Sequence, residues 1–176
     1  MIGLKDAFLG SSESLVPSDA VAALLVLPDG RYIMQLRDIK PHIFYPGHWG
    51  LFGGAVDEGE TEREALKREL AEELDFEAVK LDRFVCLEFD LSAISVGKVF
   101  RAVYEVPVSE REFGAFKLRE GRACEALSPS DILLNLRVTP YDAFAIWLHY
   151  ARKRLTLTLP HRPGADHGTE HGTPWA

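Results

Sequence analysis

Cysteine is scarce in this chain, which has only Cys86 and Cys124 among its 176 residues and no Cys-x-x-Cys spacing. Two isolated positions of this kind do not indicate a disulfide framework. We therefore expect both thiols to be reduced and buried, as is usual in a cytoplasmic protein.

Long hydrophobic runs and clusters of basic residues are also missing. The longest apolar run, Ala20 to Leu27, is too short to cross a bilayer, and the N-terminus lacks a basic region followed by an apolar core. The formal net charge is -7 with no basic run to offset it, which argues against a nucleic-acid polymer as a partner. These absences predict a soluble, cytoplasmic protein without a membrane partner. An acidic protein of this kind needs metal ions if it is to attract phosphates.

The chain does contain enough apolar residues for one core. Its 47% hydrophobic content over 176 residues predicts one globular domain and is short for two. Apolar runs and turn residues predict strands at 20–27, 31–37, 49–54, 79–91, 98–108 and 123–127. Capping residues predict helices at 128–134 and 139–154, and His149 on the second helix is expected to be structural.

The stretch from Gly53 to Phe76, GGAVDEGETEREALKRELAEELDF, carries the strongest pattern. Thr61 followed by Glu64 forms a capping box, which predicts the start of a helix. Residues 62–74 contain no Gly or Pro and are rich in good helix formers. The buried stripe of this helix is expected to consist of leucines four residues apart, namely Leu66, Leu70 and Leu74.

Three carboxylates are predicted to lie beside this stripe. Glu69, Glu72 and Glu73 share one face of the helix, where like charges are destabilising unless a counter-charge is present. One interpretation is a solvated acidic face. The other is a site for a hard divalent cation, because Mg²⁺ prefers oxygen ligands, keeps several waters and is often completed by substrate phosphates. The preceding glycine loop and Arg68 favour the cation.

The segment resembles the Nudix box, Gly-x5-Glu-x7-Arg-Glu-U-x-Glu-Glu-x-Gly-U, in which U is apolar. Eight positions of the box are occupied as the pattern requires, by Gly54, Glu60, Arg68, Glu69, Leu70, Glu72, Glu73 and Phe76. Asp75 departs from the pattern, because it stands where the family has its second glycine. It would end the helix in the left-handed region, which Asp tolerates at a cost of roughly 1 kcal/mol relative to Gly.

This resemblance implies an α/β fold, specifically a Nudix-like α/β/α sandwich around a mixed β-sheet. We expect the hydrolase domain at residues 19–158, after an N-terminal arm at 1–18 and before a disordered tail at 159–176. The arm could form a homodimer contact. We assign no role to the three histidines of the tail, which are His161, His167 and His171.

The resemblance also implies a hydrolase that uses Mg²⁺ or Mn²⁺. Its implied metal ligands are the Gly54 carbonyl and the carboxylates of Glu69, Glu72 and Glu73. Glu69 is either a third carboxylate ligand or the group that deprotonates or orients water. Arg68 is expected to hold a box carboxylate in place through a charge-assisted contact, and Glu60 to support the loop through that arginine.

A further carboxylate is expected in the loop before the strand at 123–127, as in similar proteins. Glu120, which is followed by Gly121, is the best placed candidate for a metal-binding or base carboxylate. Glu105 and Glu125 are its competitors.

The loop at 40–49 is long and rich in proline and aromatic residues, which favours a functional role. In similar chains the strand and loop before the box face the substrate. Arg37 could therefore bind a phosphate, and Tyr45 or Trp49 could stack on a base. The alternative is that Trp49 and Phe44 cover the core while Arg37 pairs with Asp38.

The implied reaction is cleavage of a phosphoanhydride in a small nucleotide substrate. The long aromatic loop leans toward a nucleoside diphosphate linked to another group, such as a nucleotide sugar. A house-cleaning hydrolase of oxidised nucleoside triphosphates is the second interpretation, and a catalytically silent nucleotide-sensing module is the third. The complete set of box carboxylates favours an enzyme.

Overall fold

The computed structural model describes residues 17–94, 97–134 and 136–158. The predicted N-terminal arm, apart from residues 17 and 18, and the predicted tail at 159–176 lie outside the described residues. Within the described part of the chain, no helix combines the length and the apolar character that crossing a membrane requires.

The centre of the molecule is a six-stranded sheet in the order β3-β2-β1-β5-β4, with β6 paired to β2. β1 and β5 run parallel and the other pairs are antiparallel, so the sheet is mixed, as predicted. The strands are β1 (Ala20–Val26), β2 (Tyr32–Leu36), β3 (Trp49–Gly50), β4 (Asp82–Asp90), β5 (Lys98–Pro107) and β6 (Ala123–Leu127).

Helices cover both faces of this sheet. They are α1 (Glu62–Leu74), α2 (Glu110–Ala115), α3 (Pro129–Leu134) and α4 (Pro140–Thr158), with a 3-10 turn at Ser92–Ile94. Successive residues of a strand point to opposite faces. Val21 of β1 therefore packs with Leu66 of α1 in one core, whereas Ala22 packs with Ile146 of α4 in the other. The α/β/α sandwich is confirmed.

The helix α1 begins and ends where the sequence predicts. The Thr61 side chain accepts from the Glu64 amide (3.3 Å), and the Glu64 carboxylate accepts from the Thr61 amide (2.9 Å), which completes the capping box. At the other end Asp75 adopts the left-handed conformation with φ 56° and ψ 39°. The three stripe leucines of α1 are fully buried.

The glycine segment after β3 lies against β1. β1 and β2 pair at Leu25–Ile33 and Val26–Tyr32, at the far end of β1. At the near end of β1, the Ala23 amide donates to the Phe52 carbonyl and the Val21 amide to the Gly54 carbonyl, both at 2.9 Å. The sheet therefore holds the backbone just before the box directly opposite α1.

Several local predictions differ from the structure. The strand expected at 49–54 has only two strand residues, because its second half turns at Gly53 (φ 128°). Helix α2 was not predicted, although Ser109 and Glu112 form a capping box like that of α1. Cys86 was expected to be buried and is exposed, because alternate residues of the outermost strand β4 face solvent.

His149 has the packing role expected of it. Its ring is fully buried on the α4 side of the sheet. Nδ1 lies 2.7 Å from the Tyr32 hydroxyl, and Nε2 lies 2.9 Å from a carboxylate oxygen of Glu105. These contacts join α4 to β2 and β5.

Candidate metal and substrate site

Glu73 is the most deeply buried carboxylate of α1, with 5% of the residue exposed. One of its oxygens accepts from the Gln35 side-chain amide (3.1 Å), and the other accepts from the Gly53 backbone amide (2.9 Å). Both donors are neutral. The carboxylate is therefore fixed between β2 and the glycine turn without a cationic partner among these contacts.

Glu69 lies one helical turn earlier and is half-buried. Its Oε1 accepts from Nη1 of Arg68 at 2.7 Å. The carboxylate sits so close to Gly54 that a Cβ at this position would collide with its oxygens and with Cδ. A glycine is therefore required at position 54 for the backbone to approach the Glu69 carboxylate.

Arg68 links the helix to the loop before it. Its Nε and Nη2 donate to the two oxygens of Glu60 at 3.0 and 2.9 Å, and Nη2 also donates to the Ala55 carbonyl at 3.1 Å. The fork of a guanidinium is suited to such a bidentate contact. The contacts expected of Arg68 and Glu60 are present, and their part in catalysis stays a prediction.

A pocket of about 200 Å³ lies between the glycine turn, α1 and the end of β2. It brings together Gly54, Glu69, Glu73, Glu120 and Arg37 from among the residues that the sequence singles out. The remaining wall consists of Gln35, Asp38, Ile43 and Gly53.

Four predicted site residues do not line the pocket, namely Arg68, described above, and Glu72, Trp49 and Tyr45. The Glu72 side chain is 62% exposed, with an oxygen 3.5 Å from Nη1 of Arg68. Trp49 packs half-buried against the core on the α4 side. Tyr45 makes edge contacts with the rings of His48 and Tyr141, at 5.5 and 5.6 Å between centroids. Their predicted ligand and stacking roles stay predictions.

Glu120 reaches the pocket on the loop between α2 and β6. The Arg119 amide donates to the Glu73 carbonyl at 2.8 Å, and the Arg122 amide donates to the Leu36 carbonyl at 2.7 Å. Gly121, with φ 87°, lies against Gln35, where a Cβ would come within 3.0 Å of the Gln35 side-chain oxygen. The loop is thus packed between α1 and β2.

Glu105 and Glu125, the two competitors of Glu120, lie on the opposite face of the sheet. Glu105 faces His149, at 2.9 Å. Glu125 pairs with Met34, whose side chain belongs to the core on the α4 side. Paired residues project to the same face, so Glu125 points away from the pocket.

Burial dominates the electrostatics of the two pocket glutamates. It raises the pKa of Glu73 to about 7, against the hydrogen bonds from Gly53 and Gln35, and the nearby charges of Glu69 and Glu120 raise it further. Burial also raises the pKa of Glu69, although the hydrogen bond from Arg68 opposes this effect. A divalent cation would favour the ionised forms of both groups.

The donor chemistry of the pocket fits Mg²⁺ or Mn²⁺. The groups that could hold the cation are the carboxylate oxygens of Glu69 and Glu73 and the carbonyl oxygen of Gly54. The Gly54 oxygen accepts a hydrogen bond from the Val21 amide with one lone pair, and its second lone pair could bind the cation. Among the described residues, no three His, Cys, Asp or Glu side chains already converge as a complete ligand set. An open site of this kind suits Mg²⁺, which keeps several of its waters.

Sequence reasoning missed Gln35, whose buried amide donates to Glu73 and, at 3.3 Å, to the Leu51 carbonyl. The alternation of side chains between the two faces of β2 could have identified Gln35. Ile33 belongs to the core on the α1 side, and Gln35 two residues later shares its face. A polar residue at a core-facing position calls for a partner, here a carboxylate of α1.

The comparisons with known proteins identify the family. The sequence profile of the NUDIX domain matches residues 16–148, which is most of the chain. The chain therefore belongs to the NUDIX domain family. This agrees with the box and with the sandwich fold described above.

Individual relatives are similar over different extents. The nucleoside triphosphatase NudI of Escherichia coli O139:H28 (strain E24377A / ETEC) is 43% identical over 51 residues, which are 28% of this chain. The match covers 35% of NudI, so this chain spans about a third of the length of that curated relative.

Two solved structures share the fold. A MutT protein from Methanosarcina mazei Go1 has a TM-score of 0.63 and 23% identity, over 81% of this chain and 99% of that one. The NUDIX domain of Shewanella oneidensis NrtR, complexed with ADP ribose, has a TM-score of 0.60 and 21% identity, over 81% of this chain and 90% of that one. At these identities the likeness shows the fold alone.

Proposed function

We propose that this chain is a metal-dependent pyrophosphohydrolase that cleaves the phosphoanhydride of a nucleoside diphosphate linked to another group. The observation that carries the proposal is the pocket in which Glu69, Glu73 and Glu120 surround the glycine turn while Arg37 lines the same wall. Together with Asp38, these glutamates give the pocket four acidic side chains against one arginine, which would repel a pyrophosphate. Such a wall becomes receptive to phosphates when cations occupy it.

The chain's own residues divide the work between holding and orienting. Glu73 and Glu69 would hold the cation; Gln35 and Gly53 fix the Glu73 carboxylate, and Arg68 fixes that of Glu69. When bound, Mg²⁺ or Mn²⁺ neutralises the pyrophosphate and makes hydroxide available near neutral pH. The fixed carboxylates supply a geometry that needs little rearrangement during the reaction.

Arg37 would bind a phosphate of the substrate. Its Nε donates to the Phe44 carbonyl at 2.9 Å, which holds the guanidinium at the pocket wall and leaves the terminal nitrogens for a ligand. The diphosphate of the substrate would lie in this pocket, next to Arg37. The nucleoside and the linked group would extend along the loop at 40–49.

Two carboxylates remain candidates for accepting the proton of the attacking water. Glu69 has a raised pKa and is held by Arg68, whereas Glu120 is exposed on the loop before β6. Glu69→Gln and Glu120→Gln distinguish them. Loss of the base removes the acidic limb of the pH–rate profile at saturating metal, whereas loss of a metal ligand is offset in part by more metal.

The substrate class rests on two similarities that point differently. The NUDIX domain of NrtR complexed with ADP ribose supports a nucleoside diphosphate linked to a sugar. The nucleoside triphosphatase NudI supports a second candidate substrate, a nucleoside triphosphate.

The experiment is a hydrolysis panel of nucleoside triphosphates, nucleotide sugars, dinucleotides and ADP-ribose with Mg²⁺, Mn²⁺ or EDTA. We expect release of a nucleoside monophosphate from a diphosphate-linked substrate with metal and none with EDTA. Preferential cleavage of triphosphates would select the second candidate. Tight nucleotide binding without cleavage of any compound would overturn the enzyme and leave a nucleotide-sensing module.

A further inference from the structure

Asp75 is the one residue of the box that departs from the family pattern, and its side chain is engaged. One carboxylate oxygen lies 2.7 Å from Nζ of Lys117, and the other lies 3.2 Å from Nη2 of Arg119. A glycine could end the helix with φ near 56° at lower conformational cost. It could not make these two contacts.

Both partners belong to the loop that carries Glu120. The Lys117 amide donates to the Leu74 carbonyl at 2.9 Å, and the Arg119 amide donates to the Glu73 carbonyl at 2.8 Å. These carbonyls belong to the last turn of α1, whose acceptors have no partner within the helix. The loop therefore caps α1 through its backbone, next to the Asp75 carboxylate.

The charges at this end of α1 explain why a basic loop is favourable there. The last turn carries Glu72 and Glu73, at the end of the helix where the macrodipole is negative. Lys117 and Arg119 supply the positive charge that complements it. Glu120 comes next in the chain and lines the pocket, and Gly121 then turns the backbone beneath Gln35.

We propose that Asp75 is a positioning residue, which holds Lys117 and Arg119 and thereby fixes the loop that presents Glu120 to the pocket. The residue that replaces the second glycine of the box thus links the helix end to a carboxylate outside the box. The proposal deepens the proposed function and rests on it where it concerns metal binding. The placement of the loop can be tested without metal.

Two substitutions at position 75 separate the side chain from the backbone. Asp75→Asn keeps a residue that tolerates the left-handed region, and Asp75→Gly restores the box pattern, while both remove the carboxylate. Exposed ion pairs contribute little to global stability. We therefore expect melting temperatures equal to or above the wild type, together with a local change in the loop. Glu77→Gln, at an exposed position just after the helix, is the matched control.

The first readout is amide hydrogen exchange of the metal-free protein. Asp75→Asn and Asp75→Gly should raise exchange at the amides of Lys117 and Arg119 by at least about threefold, and Lys117→Met combined with Arg119→Met should raise it at Arg119 in the same way. Glu77→Gln should leave it unchanged. Wild-type exchange rates in both Asp75 variants would overturn the proposal, whether or not the protein proves to be an enzyme.

The second readout is the affinity for Mn²⁺ alone, measured by electron paramagnetic resonance. We expect Asp75→Asn to weaken the Mn²⁺ affinity about threefold to tenfold. This loss is smaller than is typical for groups that hydrogen-bond directly to a metal-coordinating side chain. In the Glu120→Gln background, Asp75→Asn should cause no further loss of affinity. Additive losses in the double variant would overturn the coupling to Glu120. Failure of the wild type to bind Mn²⁺ or to cleave the panel would instead contradict the proposed function, and the exchange measurement would still decide the loop.

Discussion

Two buried carboxylates hold the same stretch of chain from opposite sides and are treated differently by the fold. Asp142 of α4 is 1% exposed, and Glu73 of α1 is 5% exposed. Asp142 accepts from the Leu51 amide at 3.0 Å, and Glu73 accepts from the Gly53 amide at 2.9 Å. The segment between β3 and the box is therefore fixed by one acid on each face of the sheet.

The difference lies in the remaining partners. One oxygen of Asp142 accepts from Nη2 of Arg101 at 2.9 Å, and the other accepts from the Thr139 hydroxyl at 2.6 Å. Glu73 has the neutral amide of Gln35 in the corresponding place, with the charges of Glu69 and Glu120 close by. The protein neutralises Asp142 itself, whereas the hydrogen-bond donors to Glu73 are neutral, in keeping with its proposed role as a cation ligand.

The largest effect on stability is expected when the charge of Asp142 is removed. Asp142→Asn should lower the free energy of unfolding by about 3 to 4 kcal/mol, because it leaves the half-buried Arg101 guanidinium without its counter-charge. Urea unfolding measures this. Asp82→Asn, which removes an exposed pair with Lys80 (2.9 Å), is the control and should leave stability nearly unchanged. Equal losses in the two variants would contradict the structural role of Asp142.

Removing the charge of Glu73 should lower the rate of turnover and leave the fold intact. Glu73→Gln should lose at least about two orders of magnitude in turnover, roughly 3 kcal/mol of barrier, because a cation ligand is removed. Its melting temperature without Mg²⁺ should hold or rise. Steady-state kinetics and thermal unfolding measure the two effects, with Glu77→Gln as the matched control. Near-normal turnover of Glu73→Gln would sink the assignment.

In the metal-free protein, the pH dependence of stability should report the ionisation of Glu73. Burial raises the pKa of Glu73 from 4.5 to about 7, so the folded state favours its neutral form. This contribution to stability is present below pH 4.5 and is lost as the pH rises toward 7. Wild type should therefore lose about 2 to 3 kcal/mol relative to Glu73→Gln across that window. A difference that stays constant in parallel urea titrations would show that Glu73 does not titrate there.

The smallest effect on turnover is expected from replacing the Arg68 guanidinium, which contacts Glu69, with a lysine. Arg68→Lys keeps the charge but cannot contact Glu60 through two nitrogens and Glu69 through a third. Turnover should fall about tenfold, or about 1.4 kcal/mol, with stability changed by less than about 1 kcal/mol. Arg63→Lys on the same helix serves as the control. A fall in stability that matches the fall in rate would make Arg68 a structural residue.

The sequence predicted local features well, because they depend on neighbouring residues. The capping box at Thr61, the leucine stripe and the left-handed end at Asp75 all follow from spacing within α1. The acidic face followed from the same spacing. The strands were recognised from apolar runs, although their ends shifted by a few residues where turns intervened.

The rest depends on contacts between distant parts of the chain. Glu120 could be separated from Glu125 only once the register of β6 against β2 assigned each to a face. The partner of Gln35 is a helix residue 38 positions away. The comparison between Asp142 and Glu73 likewise requires Arg101, which reaches Asp142 across 41 positions. Helix and strand periodicity carries no information of this kind.

The most direct test of this account is the free energy of unfolding of wild type and Glu73→Gln at pH 7, with and without Mg²⁺. A ligand that binds only the folded state stabilises it, by about 2.7 kcal/mol at a concentration of 100 times its Kd. We predict that Mg²⁺ stabilises the wild type and leaves Glu73→Gln nearly unchanged. Equal stabilisation of both proteins, or none of the wild type, would contradict the claim that the charge of Glu73 is left for a cation.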